Sequence, residues 1–239
     1  MKKIIALILG IVCLFSVSAC SSDKAAEKET VPQKAKTLPA AEVDPNSRYG
    51  ADLNVNVKTI DNYLDCENTV YRDVRLLFDP GEYESIGGEA DLSVAIKGFK
   101  VVPFPYIAPL SIVPIKNLYD GDCLFDVEYT GLSEIKSVKP NYEESMLVLE
   151  DMFPKDKNIV ITCGGGGYSA MIKALLIKLG WDESRLYNIG GMWDYEGKNG
   201  VEVIVYPEDA NDDPTFATWR VDYTYFDFNK MHPLKNESN

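Results

Sequence analysis

The stretch NIVITCGGGGYSAMIKALLIKLG, residues 158–180, constrains the fold more than any other part of the chain. Its first five residues are mostly β-branched and read as a buried strand. Four glycines follow Cys163, and residues 169–180 then carry apolar side chains at helical spacing, with Lys173 and Lys178 on the polar face and Gly180 as the stop. A strand that enters a helix through a short loop is the unit from which parallel α/β sheets are built. Glycine is entropically costly, so four in succession require a backbone reason. Amides converging on one point supply that reason. In such sheets ligands bind beyond the carboxyl ends of the strands, which is where Cys163 stands.

The remaining segments extend the same pattern. NTVYRDVRLLF predicts a strand ending near Arg75, and a short strand at Lys100–Phe104 is interrupted by Pro103 and Pro105. Tyr142–Phe153 has helical apolar spacing, Thr59–Asp65 predicts a short helix, and GEYES at 81–85 predicts one helical turn. Arg185–Gly191 reads as another strand, and VEVIVYP and TWRVDYTYFDF alternate as an edge hairpin. Residues 106–140, proline-rich and then charged, give no clear pattern. The expected class is α/β: a mainly parallel sheet with helices on both faces, and a C-terminal β extension over residues 201–239.

The N-terminus has a different logic. Lys2 and Lys3 precede an apolar run, Ile4–Val17, that is too short and wrongly flanked for an ordinary spanning helix. Residues 1–19 read as a secretory leader. The closing VSAC, Val17–Cys20, resembles the lipobox of bacterial lipoproteins, which implies cleavage before Cys20 and lipid on its sulfur. A plain leader with an incidental Cys20 is the competing reading. Residues 20–50, rich in Ala, Lys, Glu, Pro and Ser, then read as a flexible tether, and residues 51–200 as the folded domain. The resulting location is a lipid anchor on the extracytoplasmic side of a bacterial cell membrane or outer membrane. The net charge of −13 becomes −15 once Lys2 and Lys3 leave with the leader. Such acidity excludes nucleic acid as a partner and leaves the lipid to hold the membrane alone.

Four cysteines outlast the leader: Cys20, Cys66, Cys123 and Cys163. With Cys20 lipidated the remaining number is odd, which flags a free thiol; a Cys66–Cys123 bridge stays open. There is no CxxC, and His232 is the single histidine, read as exposed tail without a partner. Zinc sites of Cys and His, and Ser-His-Asp or Cys-His catalysis in the core, are thereby excluded; no metal or cofactor is expected. PEDANDDP at 207–214 matches no EF-hand spacing and reads as a solvated turn, and Trp181 as a plug at a helix end.

The backbone amides of Gly164, Gly165, Gly166, Gly167, Tyr168 and Ser169 surround the start of a helix, where the dipole is positive. They form a nest expected to stabilise an anion and to lower the pKa of Cys163. A buried cysteine before a tight turn is the plainer reading. The order strand, Cys163, five residues, Ser169, helix, YNIGGMW resembles the rhodanese-like sulfurtransferases. Gly190, Gly191 and Trp193 fall on that family's double-glycine motif, and Asp73, Arg75, Glu82 and Tyr83 on its Asp-x-Arg strand end and acidic-aromatic helix start. The similarity spans roughly residues 57–197. It implies a three-layer sandwich around a central five-stranded sheet, with Cys163 as nucleophile carrying sulfur as a persulfide. Ser169 would donate from the helix N-terminus, and Asp73 and Arg75 would support the loop. The implied partners are a small sulfur donor and a thiol acceptor.

The chain departs from that pattern at Tyr168, where many relatives carry arginine, and at GFKVVPFP, 98–105, which lacks the family's histidine. Those departures favour a competing reading, a catalytically weak binding or sensing module with an envelope protein partner. A cysteine phosphatase needs arginine six residues after the cysteine, where Ser169 stands. Nucleotide binding would need Gly-Lys followed by Ser or Thr.

Overall fold

In the computed structural model the described residues are 34–76, 81–83, 94–202 and 227–234. The leader, Cys20 and residues 20–33 lie outside them, as do residues 84–85 of the GEYES turn and most of the expected C-terminal extension. In chain order the elements are β1 (Thr69–Asp73), β2 (Val94–Ile96), β3 (Lys100–Val101), β4 (Phe125–Gly131), β5 (Glu134–Pro140), α1 (Ser145–Met152), β6 (Asn158–Cys163), α2 (Gly167–Lys178), β7 (Leu186–Gly191) and β8 (Gly200–Glu202).

The protein is α/β. A four-stranded, wholly parallel sheet runs in the order β3-β1-β6-β7. β6 is central and β-branched, and every residue after Asn158 is buried. Its alternating side chains feed two cores: Ile159, Ile161 and Cys163 enter one, Val160 the other. The first core also takes Leu149 and Met152 of α1 and Met171, Ile172, Leu175 and Leu176 of α2. The two α-helices among the described residues therefore share one face, where helices on both faces were expected.

Among the described residues the second face is covered by residues 34–64, whose one regular element is a 3-10 turn at Ile60–Asn62. That segment supplies apolar side chains (Leu38, Val55, Val57, Ile60, Leu64) but is punctuated by Pro39, Pro45 and Gly50, which break a helix. Its backbone finds partners on the sheet edge instead. Asp52 N–H donates to Asn188 O at 2.7 Å and Val57 N–H to Ile189 O at 2.9 Å. The Asp52 carboxylate, itself buried, accepts from the amides of Glu42, Asn54 and Val55. Residues 34–50, expected as tether, belong to this cover. Tyr187 Oη donates to Pro39 O at 2.7 Å, Asn188 Nδ2 to Tyr49 O at 2.7 Å, and Ala35 N–H to Asn62 O at 2.8 Å. Few large side chains were needed, because backbone bonds do most of the docking.

The unassigned stretch holds an antiparallel hairpin, β4 with β5, whose buried residues on β4 alternate with exposed ones. It packs on α2 from outside the sheet: Phe125 and Val127 are buried, and Tyr129, Ile135 and Val138 lean on the same core. α2 is thus sandwiched, and Lys173, expected on a polar face, is buried. Near the C-terminus the chain returns to α1. Glu143 N–H donates to His232 O at 2.9 Å, and the Phe228 ring meets Tyr142 at 5.4 Å. His232 has a partner after all: Nδ1 lies 2.5 Å from Glu144 Oε1. Trp181 is the expected core plug, with its Nε1–H donating to Phe153 O at 2.7 Å.

Candidate functional site

Cys163 ends β6 and stands opposite Gly191 of β7, after an irregularity in the ladder between Ile161 and Cys163. The chain then folds back on itself. Gly166 adopts φ +95°, a left-handed conformation that glycine alone takes without strain, and caps α2. This turn aims the Gly166 N–H at Cys163 Sγ, 3.1 Å away. Ser169, in the first turn of α2 and fully buried, acts on the same thiol to lower its pKa, and its Oγ makes no hydrogen bond among the described residues.

The thiol itself is only 2 % exposed. Burial pushes its pKa up; the Ser169 and Gly166 donors pull it down, and the Asp73 carboxylate raises it further. Burial wins. The thiol is held above its ordinary value, which corrects the expectation of a lowered pKa.

The loop glycines divide into two roles. Gly166 and the Ser169 backbone meet the sulfur, while Gly164 and Gly165 lie beneath Trp193. A Cβ on Gly165 would stand 2.7 Å from Trp193 Cζ3, so no side chain fits under the indole. Trp193 N–H donates to Gly164 O at 3.2 Å, which fixes the indole's base. Gly191 is pressed against the same loop: a Cβ there would stand 2.2 Å from Gly164 O. Gly167 opens α2.

Tyr168 does not join the cradle with its side chain. Its ring is buried against Phe104, centroids 5.7 Å apart, and its hydroxyl pairs with that of Tyr83. Tyr83 also meets Trp193 edge to face at 6.1 Å. Trp193, Tyr83 and Tyr168 therefore form one aromatic cluster beside the cysteine loop. Trp193 Nε1 is buried with no hydrogen-bond partner among the described residues.

Asp73 and Arg75, expected to support the loop, pair with each other at the carboxyl end of β1. Arg75 Nη2 lies 2.6 Å from Asp73 Oδ2, and Nε lies 3.0 Å from Oδ1; both residues are buried. Arg75 Nη2 also donates to Val94 O at 2.8 Å, tying β1 to β2. Glu82 accepts from Asn117 Nδ2 away from the sulfur. Sequence reasoning missed Thr162, whose Oγ1 donates to Gly190 O at 3.0 Å and joins the two strand ends behind the loop. A threonine before the cysteine carries no signal of that contact.

Cys66 and Cys123 are free thiols bonded to carbonyl oxygens, of Ala35 at 3.4 Å and Phe125 at 3.2 Å. Burial raises both, Cys123 to about 11. Among the described residues no group of three His, Cys, Asp or Glu side chains is placed to hold a metal ion. Compared with protein-family models, with curated proteins and with solved structures, the chain matches none.

Proposed function

We propose that the chain is a rhodanese-like sulfurtransferase, lipid-anchored through Cys20 outside the cytoplasm, with Cys163 carrying sulfane sulfur as a persulfide. The observation that supports it best is the Gly166 amide aimed at Cys163 Sγ from 3.1 Å, at the carboxyl end of a central parallel strand. Donors fixed around sulfur before reaction stabilise charge as it develops there, without reorganisation.

In the first half-reaction the Cys163 thiol loses its proton to solvent and the thiolate attacks the sulfane sulfur of a donor. The donor's S–S bond breaks, and its reduced remainder leaves with the electron pair. In the second, cyanide or a thiol attacks the outer sulfur and leaves as thiocyanate or a new persulfide. The Cys163 thiolate is regenerated. With Tyr168 turned into the aromatic cluster, no side chain at that position clamps an anionic donor such as thiosulfate. Access requires Trp193 to lift from Gly164 and Gly165.

The test is incubation with polysulfide or thiosulfate, followed by mass spectrometry and addition of cyanide. The expected result is a gain of one sulfur on Cys163, absent in Cys163→Ser, with thiocyanate released. Neither product from either donor would sink the proposal. Palmitate labelling that disappears in Cys20→Ser tests the anchor.

The burial of Cys163, at 2 % exposure, favours a second reading. In it the domain binds or senses an envelope protein without turnover. A partner captured equally by Cys163→Ser, together with no sulfur uptake, would decide for it.

A further inference from the structure

Beside α2, a cavity of about 350 Å³ opens between α2, the hairpin's β5, β7 and residues 43–50. Small-molecule sites begin at about this size. Lys173 lines it. That side chain is 9 % exposed, and among the described residues its ammonium makes neither a hydrogen bond nor an ion pair. Its hydrocarbon stem is packed while the ammonium keeps solvent contact, so the charge stands where an anion entering the cavity can meet it.

The walls describe the rest of that anion. Val43, Tyr49, Ile135 and Ile177 present apolar surface, and Val43 and Ile177 are 48 % and 36 % exposed, as though awaiting a cover. Asn188 on the floor is already satisfied. It donates to Tyr49 O and accepts from Gly190 N–H, so it positions Tyr49 and leaves the ligand to others. Among the lining residues Lys173 and Lys178 exceed Glu183 by one positive charge, and the Asp52 carboxylate behind the wall offsets part of it. Glu183 and Asp52 act on Lys173 from beyond ion-pair distance, while burial lowers its pKa. A doubly charged phosphate would meet Glu183 with too few donors to compensate.

We propose that this cavity binds a small monocarboxylate with an apolar body, its carboxylate on Lys173 and its hydrocarbon or aromatic part against Tyr49, Ile135 and Ile177. The site is separate from Cys163 and does not rest on sulfur transfer.

The probe is 4-phenylbutyrate, titrated into the full chain by calorimetry, with 4-phenylbutanol as its uncharged counterpart. Saturable binding of the acid, at least tenfold tighter than the alcohol, is expected. Lys173→Met keeps the length and packing of the side chain, and should weaken the acid at least tenfold while leaving Tm unchanged or higher. Cys163→Ser should bind the acid as the native chain does. No binding of the acid, equal binding of acid and alcohol, equal binding by Lys173→Met, or loss of binding in Cys163→Ser would each overturn the proposal. The acid–alcohol comparison uses the native chain and so holds whether or not a variant folds.

Discussion

Trp193 lies on Gly164 so closely that a Cβ on that glycine would stand 2.6 Å from the indole Cζ2. The contact buries Gly164 while Gly165 stays exposed, and Cys163 beside them is almost without solvent contact. Removing the indole should uncover the sulfur. Trp193→Ala is expected to raise the rate of Cys163 alkylation by iodoacetamide at least tenfold at neutral pH, read by peptide mass spectrometry. The half-buried indole makes the stability cost about 2 kcal/mol, below that of a fully buried tryptophan. An unchanged alkylation rate would show that something other than Trp193 covers the thiol.

Two glycines with different surroundings separate close approach from backbone strain. At Gly191 a Cβ would strike backbone, 2.2 Å from Gly164 O and 2.6 Å from Gly165 C, and backbone cannot move aside. At Gly180, φ is +95° and nothing lies within 4 Å. Gly180→Ala should therefore cost only the left-handed penalty, about 1 kcal/mol. Gly191→Ala should cost about 3 kcal/mol or more through forced separation of β7 from the loop. Urea midpoints of the two variants provide the comparison, and equal losses would contradict the packing described.

Tyr168 occupies the position where an arginine would hold an anionic donor, but its ring belongs to a buried cluster with Phe104 and Tyr83. Installing the arginine should not restore a cradle. Tyr168→Arg places a cation among aromatic and aliphatic side chains, at an expected cost of about 3 kcal/mol. A large fall in Tm with no gain in thiocyanate formation from thiosulfate is expected. A faster reaction at unchanged Tm would show that the side chain at 168 can reach the loop.

Legibility followed the locality of the signal. β6, the glycine turn and α2 were readable because their periodicity and punctuation lie within one continuous stretch. The docking of residues 34–50 was not, because it depends on backbone hydrogen bonds to Asn62, Asn188 and Tyr187 and carries little apolar pattern. Lys173 was misplaced for a related reason: the hairpin that covers α2 came from a stretch whose prolines and charges masked a period-two alternation at Phe125, Val127 and Tyr129. At the site, sequence put Cys163, Gly166 and Ser169 on one turn and Asp73 and Arg75 at the neighbouring strand end. What it could not weigh was burial, which reverses the sign of the Cys163 shift.

That reversal has a pH consequence. Cys66, Cys123 and Cys163 all have thiols raised by burial. An unfolded thiol loses its proton above about pH 8.5, while the folded chain still holds it. The folded state then binds more protons, so the thiols' contribution to stability is constant below about pH 8.5 and is lost as pH rises above it. Each thiol contributes at most about 1.4 kcal/mol per pH unit to that slope. Urea midpoints at pH 7.5 and 9.5 should show the loss, and Cys163→Ser should remove its share. A Cys163→Ser slope equal to the native one would mean that the thiol is not held protonated.

The pairing of His232 with Glu144 has the opposite sign on one side and a narrower window. The Glu144 hydrogen bond and charge raise the His232 pKa above its ordinary 6.5, and His232 lowers that of Glu144 below 4.5. A raised histidine contributes stability that is complete below its unfolded value and disappears as pH rises through its folded value. A lowered carboxylate contributes stability present above its unfolded value and lost as pH falls through its folded value. The strap of residues 227–234 is accordingly held best between about pH 4.5 and 6.5. Because His232 is the single histidine, its ring protons titrate without overlap in the NMR spectrum. The midpoint should lie above 6.5 in the native chain and return toward 6.5 in Glu144→Gln. A midpoint indifferent to that substitution would detach the C-terminal strap from α1.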